Sequence, residues 1–370
     1  MQARTVGIWT LVHRVTSLFC TANLTLLAAT GLILIFHDEI EGALGNAPRV
    51  STSTGHPLSP EQLVQAACRL KPGWTPGCYL LDDDEPGQAT VAMLPPGVSD
   101  FGKAQPVSVN IFTGESTVPP DFDQTFVGWV LEFHSTLFLG VGGQLLLAAV
   151  GLSFFVSLIS GAVLYVPFMR NLVFGTVRRD RGRRVFQLDL HNFIGIATFA
   201  WCSLVAATGT ILILSDPLED YYEATEMAAL LAPYRHLPPL AQPVPVSEAM
   251  ATAGAAWPGF EMSVVYFPHT SYAGDHHYLV LMSGSSGLSR HLTKAALVDA
   301  ATGKLAAAIE PPWYLRLMMI AGPLHFGDYG GLPLKIVWSL FTLLTLFLCL
   351  GGLYLFLARF RSRPPHGISS

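Results

Sequence analysis

The sequence predicts a mainly α-helical membrane protein in which four transmembrane helices form two parallel helix–outer domain–helix repeats. Three observations support this fold class. Of the 370 residues, 51% are hydrophobic and only 13% are charged, a combination that is rare in soluble proteins. Four apolar segments each exceed the length of about 20 residues that a bilayer crossing requires. Finally, much of the first half of the chain recurs in the second half.

The four apolar segments set the predicted domain boundaries. The helices are expected over residues 1–40, 128–168, 188–215 and 326–358. Between and after them we predict two outer α+β domains, an arginine-rich loop and a tail, over residues 41–127, 216–325, 169–187 and 359–370 respectively. The second helix is over-long, which predicts tilting. The first is not interpreted as a cleaved signal peptide, because its equivalent recurs in mid-chain.

The distribution of arginine predicts the orientation in the membrane. Nine arginines fall in the loop and the tail: Arg170, Arg178, Arg179, Arg181, Arg183, Arg184, Arg359, Arg361 and Arg363. Short loops rich in Lys and Arg stay on the cytoplasmic side. We therefore expect a multi-pass protein with cytoplasmic N- and C-termini and with both long connections outside. Because topology explains the arginine cluster, no nucleic-acid partner is inferred.

The duplication is clearest in the first and third helices. "LLAATGLILIF" at residues 26–36 corresponds to "LVAATGTILIL" at residues 204–214, and in each copy a histidine precedes the glycine at the same spacing. Each outer domain also contains a predicted strand–turn–strand hairpin, "VSVNIFTGE" at residues 107–115 and "ALVDAATGK" at residues 296–304. Both repeats enter the membrane in the same direction, so an axis along the membrane normal relates them.

Four histidines are the candidate site residues. His13 and His191 are repeat equivalents and should lie at one depth near the cytoplasmic face, while His134 and His325 should lie at a common depth near the outer face. Ionisable residues in transmembrane segments are functional candidates by default. The alternative is that each is an interfacial or hydrogen-bonded structural residue.

Two facing imidazoles can bind one metal ion or both axial positions of haem iron. A tight zinc site normally has three or four protein ligands, whereas bis-histidine haem needs two ligands and an apolar slot between helices. Arg14 and Lys335 are candidates to pair with haem propionates, or are interfacial cations. His37 lies too far from His13 to share its site and is kept as a candidate for the outer site or a substrate cleft.

Other candidates lie in the outer regions. Trp313, Tyr314, Arg316 and Met318 precede His325 and form either a substrate platform or part of an interfacial aromatic belt. Cys68 and Cys78 fall in the first outer domain, where a disulfide can persist, although the sequence leaves their separation open.

The repeat, the paired hairpins and the histidine motifs "LHNFIGI" and "LHFGDYGG" resemble the PepSY-associated transmembrane family over nearly the whole chain. Within that family, the sequence is similar to the ferric-siderophore reductases of the Gram-negative inner membrane, of the ferrioxamine type. The resemblance implies PepSY-like periplasmic domains, two b-type haems held by His13, His191, His134 and His325, and reduction of siderophore-bound iron(III). One departure is Asn110 in the first hairpin, where the second has Asp299.

Alternative functions stay open at the level of sequence. The outer modules could bind a peptide or partner protein without redox activity, or the haems could serve a quinone or protein partner. No P-loop, dinucleotide fingerprint, nucleophile elbow or HExxH motif occurs. We therefore expect the electron donor to be a quinol or a separate cytoplasmic reductase.

Overall fold

The structure, a computed structural model, describes residues 2–46, 55–81, 87–170, 172–285 and 287–361. Most of the predicted tail, including Arg363, lies outside these residues. The chain divides into two compact units. The helical unit is drawn from residues 1–37, 126–214 and 321–370, and the sheet unit from residues 38–125 and 215–320.

The labelled elements follow chain order. The helices are α1 (Ala3–Leu34), α2 (His37–Leu44), α3 (Pro60–Leu70), α4 (Phe126–Thr136), α5 (Val141–Met169), α6 (Arg183–Ile213), α7 (Ser215–Tyr222), α8 (Ala228–Leu231), α9 (Val246–Ala256), α10 (Trp313–Phe326) and α11 (Gly331–Arg361). The strands are β1 (Thr75–Leu81), β2 (Gln88–Leu94), β3 (Gln105–Asn110), β4 (Ser116–Thr117), β5 (Glu261–Tyr266), β6 (His277–Ser283), β7 (Thr293–Asp299) and β8 (Leu305–Ile309).

The helical unit contains the helices that could cross a membrane. Four helices in the described chain are long and apolar enough to span a bilayer: α1, α5, α6 and, within α11, Gly331–Phe360. Helix α1 packs against α5 and α11, and α6 packs against the same two helices. The duplicated helices α1 and α6 therefore alternate with α5 and α11 around the bundle. Large apolar side chains face outward, as expected of a lipid-exposed surface.

The second predicted crossing is not one helix over 128–168. It is divided into α4 and α5, because Leu137 and Phe138 have φ values of 55° and 58° and Gly140 has a φ of 53°. Residues in this left-handed region cannot continue an α-helix. The fourth crossing likewise begins at Gly331, after α10 has ended at Phe326, and not at residue 326.

The sheet unit holds one antiparallel sheet of eight strands in the order β4-β3-β2-β1-β5-β6-β7-β8. The two outer regions, expected as two domains, thus contribute four strands each to a continuous sheet. Strands β1 and β5 join the halves, with Tyr79 opposite Val265. This pairing removes the two exposed edges that separate domains would leave open to aggregation. Both predicted hairpins are present, as β3–β4 and β7–β8.

Helices α3 and α9 cover the sheet and bury equivalent faces. Ser59 and Gln62 form a capping box that starts α3. The buried residues include Leu63 and Ala67 of α3 and, at the same positions counted from the start of α9, Ala249 and Ala253. The i, i+4 spacing places each pair on one helix face. The local structure therefore repeats along with the sequence.

The two halves differ in the length of one connection. Helix α2 ends at Leu44 and α3 begins at Pro60, whereas α7 ends at Tyr222 and α9 begins only at Val246. The second half therefore has a longer segment before its sheet-covering helix. This segment includes a π-helical turn at Glu223–Met227 and α8.

The disulfide that the sequence left open is absent from the structure. Cys68 and Cys78 are both free thiols. Cys78 is buried in β1, and burial raises the pKa of its thiol to about 11. It therefore acts as a small apolar core residue.

Candidate functional site

The first histidine pair lies between α1 and α6. The ring centroids of His13 and His191 are 6.5 Å apart, and the ring planes are inclined at 69°. The structure thus brings together two residues from opposite halves of the sequence. Neither belongs to a larger cluster, since the described residues contain no group of three or more His, Cys, Asp or Glu side chains suited to a metal ion.

Hydrogen bonding orients His13. Its Nδ1 lies 2.9 Å from the carbonyl oxygen of Ser157 and 3.2 Å from the hydroxyl of Ser160, both on α5. A carbonyl oxygen only accepts, so the neutral ring carries its proton on Nδ1. The lone pair of Nε2 is then available to a metal ion, which is the usual arrangement of a ligating histidine.

The second histidine pair joins α4 and α10. The ring centroids of His134 and His325 are 6.4 Å apart, with the planes inclined at 66°. The Nδ1 of His325 lies 3.1 Å from the carbonyl oxygen of Val205 and 3.2 Å from the Thr208 hydroxyl. The Nδ1 of His134 lies 2.7 Å from the hydroxyl of Thr30, the repeat equivalent of Thr208. Two pairs of similar geometry are therefore present.

The hydroxyl of Thr30 orients the ring of His134, in the same way that the carbonyl of Val205 orients the ring of His325. The Thr30 hydroxyl already donates to the carbonyl of Leu26, at 2.9 Å. It therefore accepts the proton on Nδ1 of His134, which leaves Nε2 of that ring unprotonated. The same tautomer follows for both members of the second pair.

The repeated glycines explain why the spacing between histidine and glycine is the same in both halves. Gly31 does not contact His13, which is on the same helix. It makes room for His134 on another helix, because a Cβ at Gly31 would lie 3.4 Å from Cε1 of His134. Its equivalent, Gly209, stands in the same relation to His325, at 2.7 Å. Helices α1 and α6 each carry a histidine of one pair and the glycine that leaves room for the other pair.

Two further glycines accommodate the first pair. A Cβ at Gly161 of α5 would lie 3.1 Å from Cε1 of His13, and one at Gly352 of α11 would lie 3.4 Å from Cε1 of His191. Each glycine follows the second-pair histidine of its own half at the same spacing, so these two are also repeat equivalents. All four rings thus pack against a helix surface that lacks a side chain.

The two pairs lie at different depths of the helical unit. His134 packs against Gly31, which lies on α1 far towards the C-terminal side of His13. At a rise of about 1.5 Å per residue, the path along α1 from His13 to Gly31 is about 27 Å long. This approaches the hydrocarbon thickness of a bilayer, about 30 Å.

The ring separations fit a metal ion bound between two imidazoles. A ring nitrogen lies about 1.1 Å from the centroid of a ring whose bonds are about 1.33 Å long. With metal–nitrogen bonds of about 2.0 Å, imidazoles on opposite sides of one ion have centroids about 6.2 Å apart. The observed values are 6.5 and 6.4 Å.

The donor set fits haem better than a bare ion. Each pair supplies two nitrogen ligands, and a glycine lies beside each of the four rings. Bis-histidine haem requires two such ligands, whereas a structural zinc site needs more ligands. His13 and His191 would hold one such group, and His134 and His325 the other.

The predicted cations lie one at each level. Arg14 is half-buried beside His13 on α1. Lys335 is buried near the start of α11, well before Gly352 in that helix, and so lies near the level of the second pair. His37 begins α2, and its Nδ1 lies 3.0 Å from the carbonyl oxygen of Leu34. It caps the end of α1 and is not a member of either imidazole pair.

The predicted aromatic platform is only partly assembled. Trp313 is 76% exposed. Tyr314 donates a hydrogen bond to Glu226 at 3.0 Å and packs edge-on against Tyr221. Arg316 forms an ion pair with Glu310 at 3.0 Å. Trp313 and Tyr314 are in edge-on ring contact at 6.0 Å, whereas Arg316 is engaged by Glu310.

An ion pair near His191 was missed by sequence reasoning. Asp189 is buried shortly before His191, and its carboxylate accepts hydrogen bonds from the guanidinium of Arg178 at 2.8 and 3.0 Å. It also accepts the backbone N–H of Arg178. The pair ties the arginine-rich loop to α6. An acidic residue at the start of an apolar segment was the available signal.

Comparison with known proteins identifies the family. The pattern described as the PepSY-associated TM region matches residues 10–359, a range that contains all four paired histidines. An uncharacterized protein of Pseudomonas aeruginosa is 28% identical in an alignment over 263 residues, which covers 64% of this chain and 64% of that protein. The chain thus spans just under two thirds of the length of this relative. Because the family match covers nearly the whole sequence, the chain belongs to the PepSY-associated transmembrane family.

Proposed function

We propose that the protein is a di-haem oxidoreductase of the bacterial inner membrane that passes electrons outward to reduce iron(III) held by a siderophore. The observation that carries the proposal is the presence of two imidazole pairs, with centroid separations of 6.5 and 6.4 Å, at two depths of one helical unit. A haem b bound at each pair would supply one-electron chemistry.

The residues around the pairs perform distinct tasks in this function. The Ser157 and Val205 carbonyls accept the Nδ1 protons, so that Nε2 of His13 and His325 would be available to hold the iron. Glycines make room for the four imidazole rings. The apolar helices exclude water, which raises the influence of nearby charges on the reduction potential.

The exposed arginines support the orientation that outward electron flow requires. Arg179, Arg181, Arg183 and Arg184 are exposed on the loop between α5 and α6 and at the start of α6, which favours a cytoplasmic position for that loop. The level of His13 and His191 is then the inner one. The donor is a quinol or a separate cytoplasmic reductase, and the acceptor lies on the periplasmic side.

Reduction alone is enough to release iron from a siderophore. Hard oxygen donors hold iron(III) tightly and match iron(II) poorly. One electron converts iron(III) to iron(II), and the metal then leaves without cleavage of its ligand. This chemistry needs no acid–base residues of the protein, in keeping with the absence of hydrolytic motifs.

Haem quantification with reduced-minus-oxidised spectra tests the proposal. We expect about two haems per chain in the wild type and about one in His191→Ala and in His325→Ala. His236→Ala, at an exposed histidine, is the control and should retain two. Purified protein that binds no haem would refute the proposal in favour of a PepSY module that binds peptides or a partner.

Reoxidation kinetics test the substrate. Ferric siderophore added to dithionite-reduced protein should return the spectrum to the oxidised form and yield iron(II), trapped by a ferrous chelator. If a quinone or an electron-transfer protein reoxidises the haems and ferric siderophores do not, the protein serves a different acceptor.

A further inference from the structure

The carbonyl group of His325 has a partner that its counterpart in the first repeat cannot have. His325 is the second-last residue of α10, and the last four carbonyl groups of an α-helix lack partners within the helix. The indole N–H of Trp338, on α11, donates to the His325 carbonyl oxygen at 3.2 Å. The bond therefore ties the backbone of a paired histidine to the adjacent transmembrane helix.

The indole of Trp338 is held from several sides. It is 7% exposed and lies edge-on to Trp201 of α6 and to Tyr329, at centroid distances of 6.4 and 6.2 Å. Gly327, with a φ of 72°, brings the backbone so close that a Cβ there would lie 2.5 Å from the indole. Packing thus leaves the Trp338 N–H little freedom to turn away from His325.

The first repeat does not provide this contact. Counted from the second-pair histidine of each half, the residue that corresponds to Trp338 is Leu147. Leucine has no donor. The two rings of the second pair are therefore supported differently, although their Nδ1 atoms have equivalent threonine partners.

We propose that Trp338 is a positioning residue that fixes the backbone and ring of His325, and so tunes the group held by His134 and His325. The inference rests on the proposed function. Partners that orient a ligand from outside the coordination shell alter affinity and reduction potential. Trp338 acts only on the second pair, since its hydrogen bond is to His325.

Redox titration of Trp338→Phe tests the assignment, because phenylalanine keeps an aromatic ring and deletes the N–H donor. We expect two haems per chain, one midpoint potential shifted and the other unchanged. Trp338→Leu, which installs the residue of the first repeat, should in addition lose at least half of the haem at the second pair. Trp129→Phe, at a tryptophan that is 63% exposed, is the control and should match the wild type.

Variants that retain only one histidine pair show which haem Trp338 affects. With His191→Ala, only the second pair remains and Trp338→Phe should still shift the potential. With His325→Ala, the same substitution should have no effect. Potentials unchanged in Trp338→Phe, or shifted equally at both haems, would overturn the inference while leaving the proposed function intact. A wild type without haem would overturn both.

Discussion

His325 packs against Gly209 so closely that a Cβ at that glycine would lie 2.7 Å from Cε1 of the imidazole. At the other level, a Cβ at Gly352 would lie 3.4 Å from Cε1 of His191. The first distance is shorter than a carbon–carbon contact allows, and the second is close to the optimum of about 3.5–4.0 Å. Gly209 and Gly352 both lie against a histidine ring, but only Gly209 is too close to that ring to accept a methyl group.

Gly209→Ala is expected to displace His325 and to lower the haem content from about two to about one per chain. Alanine suits a helix better than glycine, so the loss would reflect the ring and not helix propensity. Gly352→Ala is the matched control and should retain two haems, as measured by pyridine haemochrome and reduced spectra. Equal haem content in the two variants would contradict the steric interpretation.

The ion pair between Arg178 and Asp189 should stabilise the loop between α5 and α6. The Asp189 side chain has no exposed surface, so removal of Arg178 leaves a buried carboxylate without its counter-ion. We expect Arg178→Met to lower the melting temperature in detergent, and Arg178→Met with Asp189→Leu to recover much of the loss, because an uncompensated charge costs more than an apolar pair.

Arg181→Met is the control for the variants of Arg178 and Asp189. Arg181 contacts Asp180 at 3.8 Å with both side chains more than two thirds exposed. Exposed pairs contribute little, so the melting temperature should not change. If the double variant is no more stable than Arg178→Met alone, the carboxylate of Asp189 is not the source of the loss.

Much of the helical unit could be predicted from the sequence. A bilayer imposes a minimum length on apolar segments, and the recurrence of "AATG" fixed the equivalence of His13 with His191. Because equivalent residues of parallel repeats lie at equal depth, this equivalence predicted that the histidines would form pairs. The role of the glycines was not foreseen, because Gly31 contacts a histidine on another helix, in a distant part of the sequence.

Other features depend on tertiary structure that local sequence does not encode. The break before α5 requires left-handed backbone at Leu137 and Phe138, and neither residue type favours it. The continuous sheet depends on pairing of β1 with β5, which a residue pattern within either half cannot reveal. The bond from Trp338 to His325 likewise arises only when α10 and α11 pack together.

Reducing agents should leave the stability of the sheet unit unchanged. Cys68 and Cys78 are free, and burial raises the pKa of both thiols, so each has little thiolate to form a mixed disulfide. Melting curves with and without dithiothreitol should coincide, and Cys68→Ser should behave like the wild type. A lower melting temperature on reduction would indicate a bridge between these residues.

The two halves of the sheet differ at one buried position. His277 opens β6 opposite Asp299, whereas the equivalent residues Gln88 and Asn110 pair in the first half. His277 is fully buried and packs edge-on against Tyr234, with the ring centroids 4.2 Å apart. Neither of its ring nitrogens has a hydrogen-bond partner among the described residues. Burial lowers its pKa from 6.5; Asp299 acts in the opposite direction, and His276 lowers it further.

His277→Gln, which installs the residue of the first half, should make the protein less sensitive to acid. Well above pH 6.5, His277 is neutral in both the folded and the unfolded protein. Below that value the unfolded chain takes up a proton that the folded one resists, so stability falls as pH decreases, by at most about 1.4 kcal/mol per pH unit. Melting temperatures at pH 7.5, 6.0 and 5.0 should therefore decline less in His277→Gln than in the wild type. His236→Gln, at an exposed histidine, should follow the wild type, and an identical decline in all three proteins would mean that His277 does not govern the acid response.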